Sequence, residues 1–129
     1  MPTRERVQAL VDMVVAGAHD QAVADFYHPD ATMQENLKAP RVGRDRLIAH
    51  ERAAMARVKH IHTHRPGRVA IDGDTVAIQW TFDFTGKDDI TRRLIEVALQ
   101  TWDGDRIRTE QFFYDTATAW QVVDSASST

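Results

Sequence analysis

The stretch Trp102-Asp103-Gly104-Asp105-Arg106-Ile107-Arg108-Thr109-Glu110-Gln111-Phe112-Phe113-Tyr114-Asp115 decides the fold of this chain. An Asp-Gly turn is followed by a run that places Glu110, Phe112 and Tyr114 on one face of a strand, because side chains alternate along extended backbone. A second turn, Ile71-Asp72-Gly73-Asp74-Thr75, is flanked by alternating runs in the same way. Glycine takes the positive φ such turns require at no steric cost, so both phrases predict hairpins. Working outward, strands are expected over residues 60–71, 75–85, 91–102 and 106–114. Pro66 and Gly67 should bend or bulge the first of these.

The first half of the chain has a different period. Thr3 is placed to cap a helix in which Val7, Leu10, Val11, Val14 and Val15 recur at helical spacing, with Gly17 beyond its end. A shorter helix is expected over residues 19–27, with Ala22, Val23 and Phe26 on one face, broken by His28-Pro29-Asp30. A short strand over 31–35 and a loop over 36–43 lead to a third helix, 44–58, striped by Leu47, Ile48, Ala54, Met55 and Val58. Helices first and strands after signify an α+β fold, with helices packed on one face of an antiparallel sheet.

With 129 residues, 43% of them apolar and 27% charged, the chain is sized for one globular domain, expected over 1–123 with a flexible polar tail over 124–129. A net charge of −3 is too mild and unclustered to suggest nucleic acid or an anionic membrane as partner. The absence of cysteine removes disulfides and thiolate chemistry. The charged amino terminus does not read as a secretory signal, and no apolar run suits a membrane span, so a cytoplasmic protein is expected.

Several phrases, taken in order, resemble the nuclear-transport-factor-two-like superfamily, in its SnoaL-like and ketosteroid-isomerase-like branch. They are Phe26-Tyr27-His28-Pro29-Asp30-Ala31-Thr32, Gly43-Arg44-Asp45-Arg46-Leu47-Ile48, Asp72-Gly73-Asp74-Thr75-Val76-Ala77-Ile78, and Asp103-Gly104-Asp105-Arg106-Ile107 with Phe113 and Asp115. The resemblance implies a cone-shaped curved antiparallel sheet whose pocket is enclosed by three N-terminal helices. It also implies a homodimer formed through the outer sheet face. Such a fold hosts unrelated activities, so function must be sought in the pocket residues.

Against the ketosteroid isomerases, Glu35 falls on the general-base position and Tyr27 on a supporting tyrosine. The two oxyanion donors fall on Val11 and Ala98, which cannot donate a hydrogen bond. Polyketide cyclases and limonene epoxide hydrolases are similar in the last strand but place an acid where this chain has Phe112. The hydrolases' Arg-x-Asp pair is replaced around Trp80 and Phe82 by aromatics. Scytalone-dehydratase-like relatives place a pocket histidine in the strand that here holds His60, His62 and His64.

The candidate catalytic residues are therefore Glu35, His62 and Tyr27. A glutamate facing an apolar cavity has its pKa raised by desolvation and becomes a base near neutral pH. His60, His62 and His64 alternate and so share a face. Two of them could chelate a metal, yet the strand supplies no further ligand, and a polar strand edge accounts for them equally. No metal and no cofactor are assigned. His50 and Glu51 interrupt the stripe of the third helix, with His50 expected to point inward. By pattern alone Ile95, Val97 and Leu99 form the more apolar face of their strand and would be its core, yet the resemblance turns Leu94, Glu96, Ala98, Gln100 and Trp102 toward the interior, leaving Ile95, Val97 and Leu99 outside for a partner copy. Candidate ligand-binding residues are His50, His64, Trp80, Phe82, Glu96, Gln100, Glu110, Phe112 and Tyr114, with Phe84 extending the aromatic wall. The function expected is binding of a small apolar ligand, with an isomerase, dehydratase or cyclase step by a carboxylate–histidine pair; the alternative is a non-catalytic ligand-binding or dimerising module.

Overall fold

The computed structural model describes residues 1–123; the tail expected over 124–129 lies outside the described residues. Three helices come first, α1 (Arg4–Val15), α2 (His19–Phe26) and, after two strands, α3 (Arg44–Ala56). The strands are β1 (Tyr27–Glu35), β2 (Arg41–Val42), β3 (Val58–Thr63), β4 (Val69–Asp72), β5 (Thr75–Gly86), β6 (Thr91–Asp103), β7 (Arg106–Phe113) and β8 (Gln121–Val122). They form one strongly curled sheet, closed on its concave side by the helices, which is the α+β class expected from the element order and the cone the resemblance implies.

Thr3 caps α1 by accepting the amide N–H of Arg6 at 3.0 Å, and Gly17 follows with φ of 91°. The helix buries Val7, Leu10 and Val11, and α2 buries Ala22, Val23 and Phe26. Leu47 of α3 is wholly buried. Arg6 clamps the first two helices to the sheet: its guanidinium lies 3.9 Å over the Phe26 ring and donates to the Asp25 and Asp105 carbonyls at 2.8 and 3.0 Å. Among the described residues no helix is long and apolar enough to cross a membrane.

The sheet runs β2-β1-β7-β6-β5-β3, with β4 also on β5 and β8 on β6. It is mixed rather than antiparallel throughout, because β1 pairs parallel with β7 while the other pairings are antiparallel. The expected strand over 60–71 is two strands separated at Pro66-Gly67, both paired with β5. Proline lacks the N–H that a continuous ladder would need there. The helix α3 stops at Ala56, two residues short of expectation, and Val58 already pairs with Gly86. Strand β1 starts directly after α2 and is longer than expected. Its partners jump from Ile107 opposite Tyr27 to Thr109 opposite Thr32, so His28-Pro29-Asp30 is looped out of the ladder and its proline is tolerated.

A one-residue bulge on β7 lies beside that irregularity. Thr101 pairs with Thr109 but Trp102 with Ile107, leaving Arg108 extra. Ile107 and Glu110 consequently both point inward although three residues apart, while Arg108 and Thr109 are exposed. Bulges bend the strand that carries them, and the two shifts sit side by side on adjacent strands near the β6–β7 turn.

Ile107 is fully buried at this junction. Ile107→Ala should therefore destabilise the chain by about 2–5 kcal/mol, measured by urea denaturation. A loss below about 1 kcal/mol would show that this junction is not part of the cooperative core.

Candidate active site

A cavity of about 390 Å³ lies between the concave face of the sheet and the helices. Alternation along each strand supplies its walls. Strand β5 contributes Trp80, Phe82 and Phe84, which form a ladder: Trp80 stacks on Phe82 with ring centroids 5.6 Å apart, and Phe82 lies 6.0 Å from Phe84. Trp120, just before β8, adds a fourth ring 5.1 Å from Phe84 while remaining 46% exposed at the rim. Its amide donates to the Arg93 carbonyl at 3.0 Å. Strand β6 turns Leu94, Glu96 and Gln100 inward and leaves Ile95, Val97 and Leu99 exposed, as the resemblance implied.

One end of the cavity is built on a buried hydrogen-bond relay. The Trp102 indole N–H donates to Gln100 Oε1 at 3.0 Å. An indole can only donate, so the Gln100 amide must turn its NH₂ the other way, and it donates to Glu110 Oε2 at 2.7 Å. The Tyr27 hydroxyl donates to Glu110 Oε1. Burial pushes the Glu110 carboxyl up, and the bonds from Tyr27 and Gln100 oppose that shift. Burial and the neighbouring Glu110 push the Tyr27 phenol far above its ordinary range. Tyr27 thus positions Glu110 and has no hydroxyl proton to spare for a ligand.

Two further acids face the cavity without such partners. Glu96 is 8% exposed and, among the described residues, makes no side-chain hydrogen bond or ion pair. Burial first, then Glu110, Glu51 and Glu35, push its pKa up to about 8. Glu51 of α3 is pushed up to about 7 by burial and then by Glu110 and Glu35, with Arg41 opposing. Glu35 stands at the end of β1, its carboxylate 3.5 Å from Arg41 of β2. His19 and His50 also line the cavity, and burial lowers the pKa of both.

Tyr27, Glu35, His50, Trp80, Phe82, Glu96, Gln100, Glu110, Phe112 and Tyr114 are brought together in this cavity. His62 and His64 are not. Ile61 and Thr63 take the inward positions of β3, so the three histidines project from the outer face, with the rings of His62 and His64 4.6 Å apart. There His64 Nε2 lies 2.7 Å from Asp83, whose carboxylate also receives a bidentate pair of bonds from Arg93 at 2.8 and 3.0 Å. The Arg93 guanidinium holds the Asp83 carboxyl down at about 2, with His64 adding to the effect. Among the described residues no group of three or more His, Asp or Glu side chains is placed to hold a metal ion. Glu51 joins the site beside His50 rather than being displaced by it; its spacing of four from Leu47 and from Met55 was the available signal. His19, Arg41 and Trp120 carried no such signal, since each reaches the cavity from an element end or loop.

The profile of the SnoaL-like domain family matches residues 7–124. No curated protein matches the chain. Among solved structures, the chain is similar to a protein with a ketosteroid-isomerase-like fold from Catenulispora acidiphila, solved in complex with trimethylamine. That likeness has a TM-score of 0.75 at 19% identity, covering 91% of this chain and 90% of the other. It is also similar to an NTF2-like protein from Burkholderia pseudomallei, at TM-score 0.74 and 18% identity over 88% and 90% of the two chains. A third likeness is to an LEH-like epoxide hydrolase from M. tuberculosis, at TM-score 0.71 and 14% identity over 89% and 84%.

The raised acids make stability depend on pH. Glu96 and Glu51 bind their protons more tightly folded than unfolded, so their contribution is complete below the ordinary value of 4.5 and is lost as pH rises through about 7 and about 8. His19 and His50, lowered from 6.5, act in the opposite sense and only below that value. The melting temperature should accordingly fall as pH is raised from 6.5 past about 8, and Glu96→Gln should flatten the fall. A flat or rising wild-type profile over that window would contradict the assignment.

Proposed function

The chain belongs to the SnoaL-like domain family, and from that premise we propose that it binds a small, largely apolar molecule in the cavity and moves a proton on it. The observation that carries this reading is Glu96, a largely buried side chain whose carboxyl faces the cavity and has no partner among the described residues. Two acids with pKa values near 7 and 8 suit general acid–base work at neutral pH. We assign Glu51, projecting from α3, as the base and Glu96, projecting from the sheet, as the acid. On a carbonyl substrate, Glu51 removes a proton from the adjacent carbon, the C–H electron pair shifts to form C=C, and the carbonyl oxygen takes the Glu96 proton. That step is common to isomerase, dehydratase and cyclase reactions. Glu35 with Arg41, and His50, line the same cavity and act in binding. The trimethylamine held by the Catenulispora acidiphila protein supports small-molecule occupancy of such a fold.

A non-catalytic binding role is the second reading. It is favoured by Val11 and Ala98, which stand where the isomerases place oxyanion donors and are buried in the core. Hydrogen–deuterium exchange of a panel of small ketones in D₂O separates the two. Wild-type protein should catalyse exchange of at least one, and Glu96→Gln should slow it by about 100-fold or more while leaving the fold intact by circular dichroism. Exchange that is absent, or unchanged in the variant, favours the binding role.

We further propose that the outer sheet face pairs two copies. Ile95, Val97, Leu99 and Phe113 are 54%, 40%, 41% and 41% exposed there, a contiguous apolar surface of the kind partners cover. Sedimentation at micromolar concentration should show a dimer, with Ile95→Asp shifting it to monomer. A wild-type monomer would overturn this.

A further inference from the structure

We infer that the molecule taken by this cavity is a small organic cation, an alkylammonium, with its charge held between the Glu96 carboxylate and the aromatic ladder of Trp80, Phe82 and Phe84. The inference concerns the same cavity but not the acid–base step, since Glu96 holds a cation only after losing the proton that step would use.

Charge balance is the first ground. Glu35, Glu51, Glu96 and Glu110 reach the cavity from β1, α3, β6 and β7. The basic groups along the lining are accounted for differently. Arg41 is paired with Glu35, Arg57 is exposed at the end of α3, and His19 and His50 are pushed toward their neutral forms by burial. The charged groups acting on Glu96 are Glu110, Glu51 and Glu35, all of them acids. A buried carboxyl normally has a donor or a cation, and Glu110 shows what the fold supplies when it means to satisfy one internally. Glu96, on the neighbouring strand, makes no hydrogen bond or ion pair among the described residues, and its carboxyl opens onto the cavity rather than being sealed in the core. A cationic ligand would complete it.

The adjacent strand gives the second ground. Three inward rings of β5, extended by Trp120, line the cavity, and Trp80 is the direct cross-strand neighbour of Glu96. Aromatic faces attract cations that shed water easily, which favours alkylated ammonium over a metal ion or a primary amine. The volume of about 390 Å³ is that of a small-ligand site. With the cation in place Glu96 gives up its proton, so binding and proton release are linked.

Calorimetric titration near pH 7 tests this with choline, trimethylammonium and tetramethylammonium against the uncharged carbon isostere of choline, in which tert-butyl replaces trimethylammonium. At least one cation should bind, and choline should bind about tenfold or more tighter than its isostere. Protons should be released, seen as a heat that changes with the buffer's ionisation enthalpy. Glu96→Gln should weaken cation binding by about tenfold and affect the isostere little, and Trp80→Leu should weaken cation binding independently. Equal or tighter binding of the isostere, or no binding of any of the three cations, overturns the inference. Those results leave ketone exchange by the wild-type protein untouched. Cation binding without any exchange activity would instead remove the proton-transfer reading and keep the ligand class.

Discussion

Burying the carboxyl of Glu110 without a cation is the constraint around which the molecule is arranged. Two donors are needed, and they come from Tyr27 and from Gln100, whose orientation is dictated in turn by the Trp102 indole. Each partner lies on a different strand or strand position, so the relay works only if β1, β6 and β7 are neighbours. The parallel pairing of β1 with β7 makes them so, and the adjacent bulges at His28-Pro29-Asp30 and Arg108 set the phase that turns Tyr27, Ile107 and Glu110 inward together. Removing one donor would leave a buried acid half satisfied, which costs more than the bond itself contributes.

Having one carboxyl satisfied from within changes what the others experience. Glu110 lies close enough to raise the proton affinity of both Glu96 and Glu51. The relay is therefore structural at its centre and electrostatic at its edge, keeping a charge-accepting group in place beside two that face the cavity. Differences in partnering, rather than in residue type, separate three glutamates into one positioning group and two groups able to exchange protons.

Much of the sheet was legible because alternation is a local property. The run around Trp80 could be phased from its own residues, whereas the buried face of β6 was indicated by the family resemblance, against the more apolar pattern of Ile95, Val97 and Leu99. What local pattern cannot convey is which of two faces turns inward when both contain plausible residues. His60, His62 and His64 share a face as expected, but Ile61 and Thr63 between them claim the interior, which the polar triplet obscured. The pairing of β1 with β7 joins residues some eighty positions apart and leaves no local trace. Glu51 was missed for a different reason: on a helix of 3.6 residues per turn, positions 50 and 51 straddle the apolar stripe, and both reach the cavity.

Trp120 closes the rim on a segment attached to the sheet edge by a short ladder, β8 against β6, with Val123 donating to the Thr91 carbonyl at 2.8 Å. The relay of Trp102, Gln100 and Glu110 stands at the other end of β6, on the far side of Glu96 from that ladder. Detaching those few peripheral bonds would uncover the rim at Trp120 while leaving untouched the bonds that align the buried acids. Closure of the rim and the poise of the interior thus rest on separate parts of one strand.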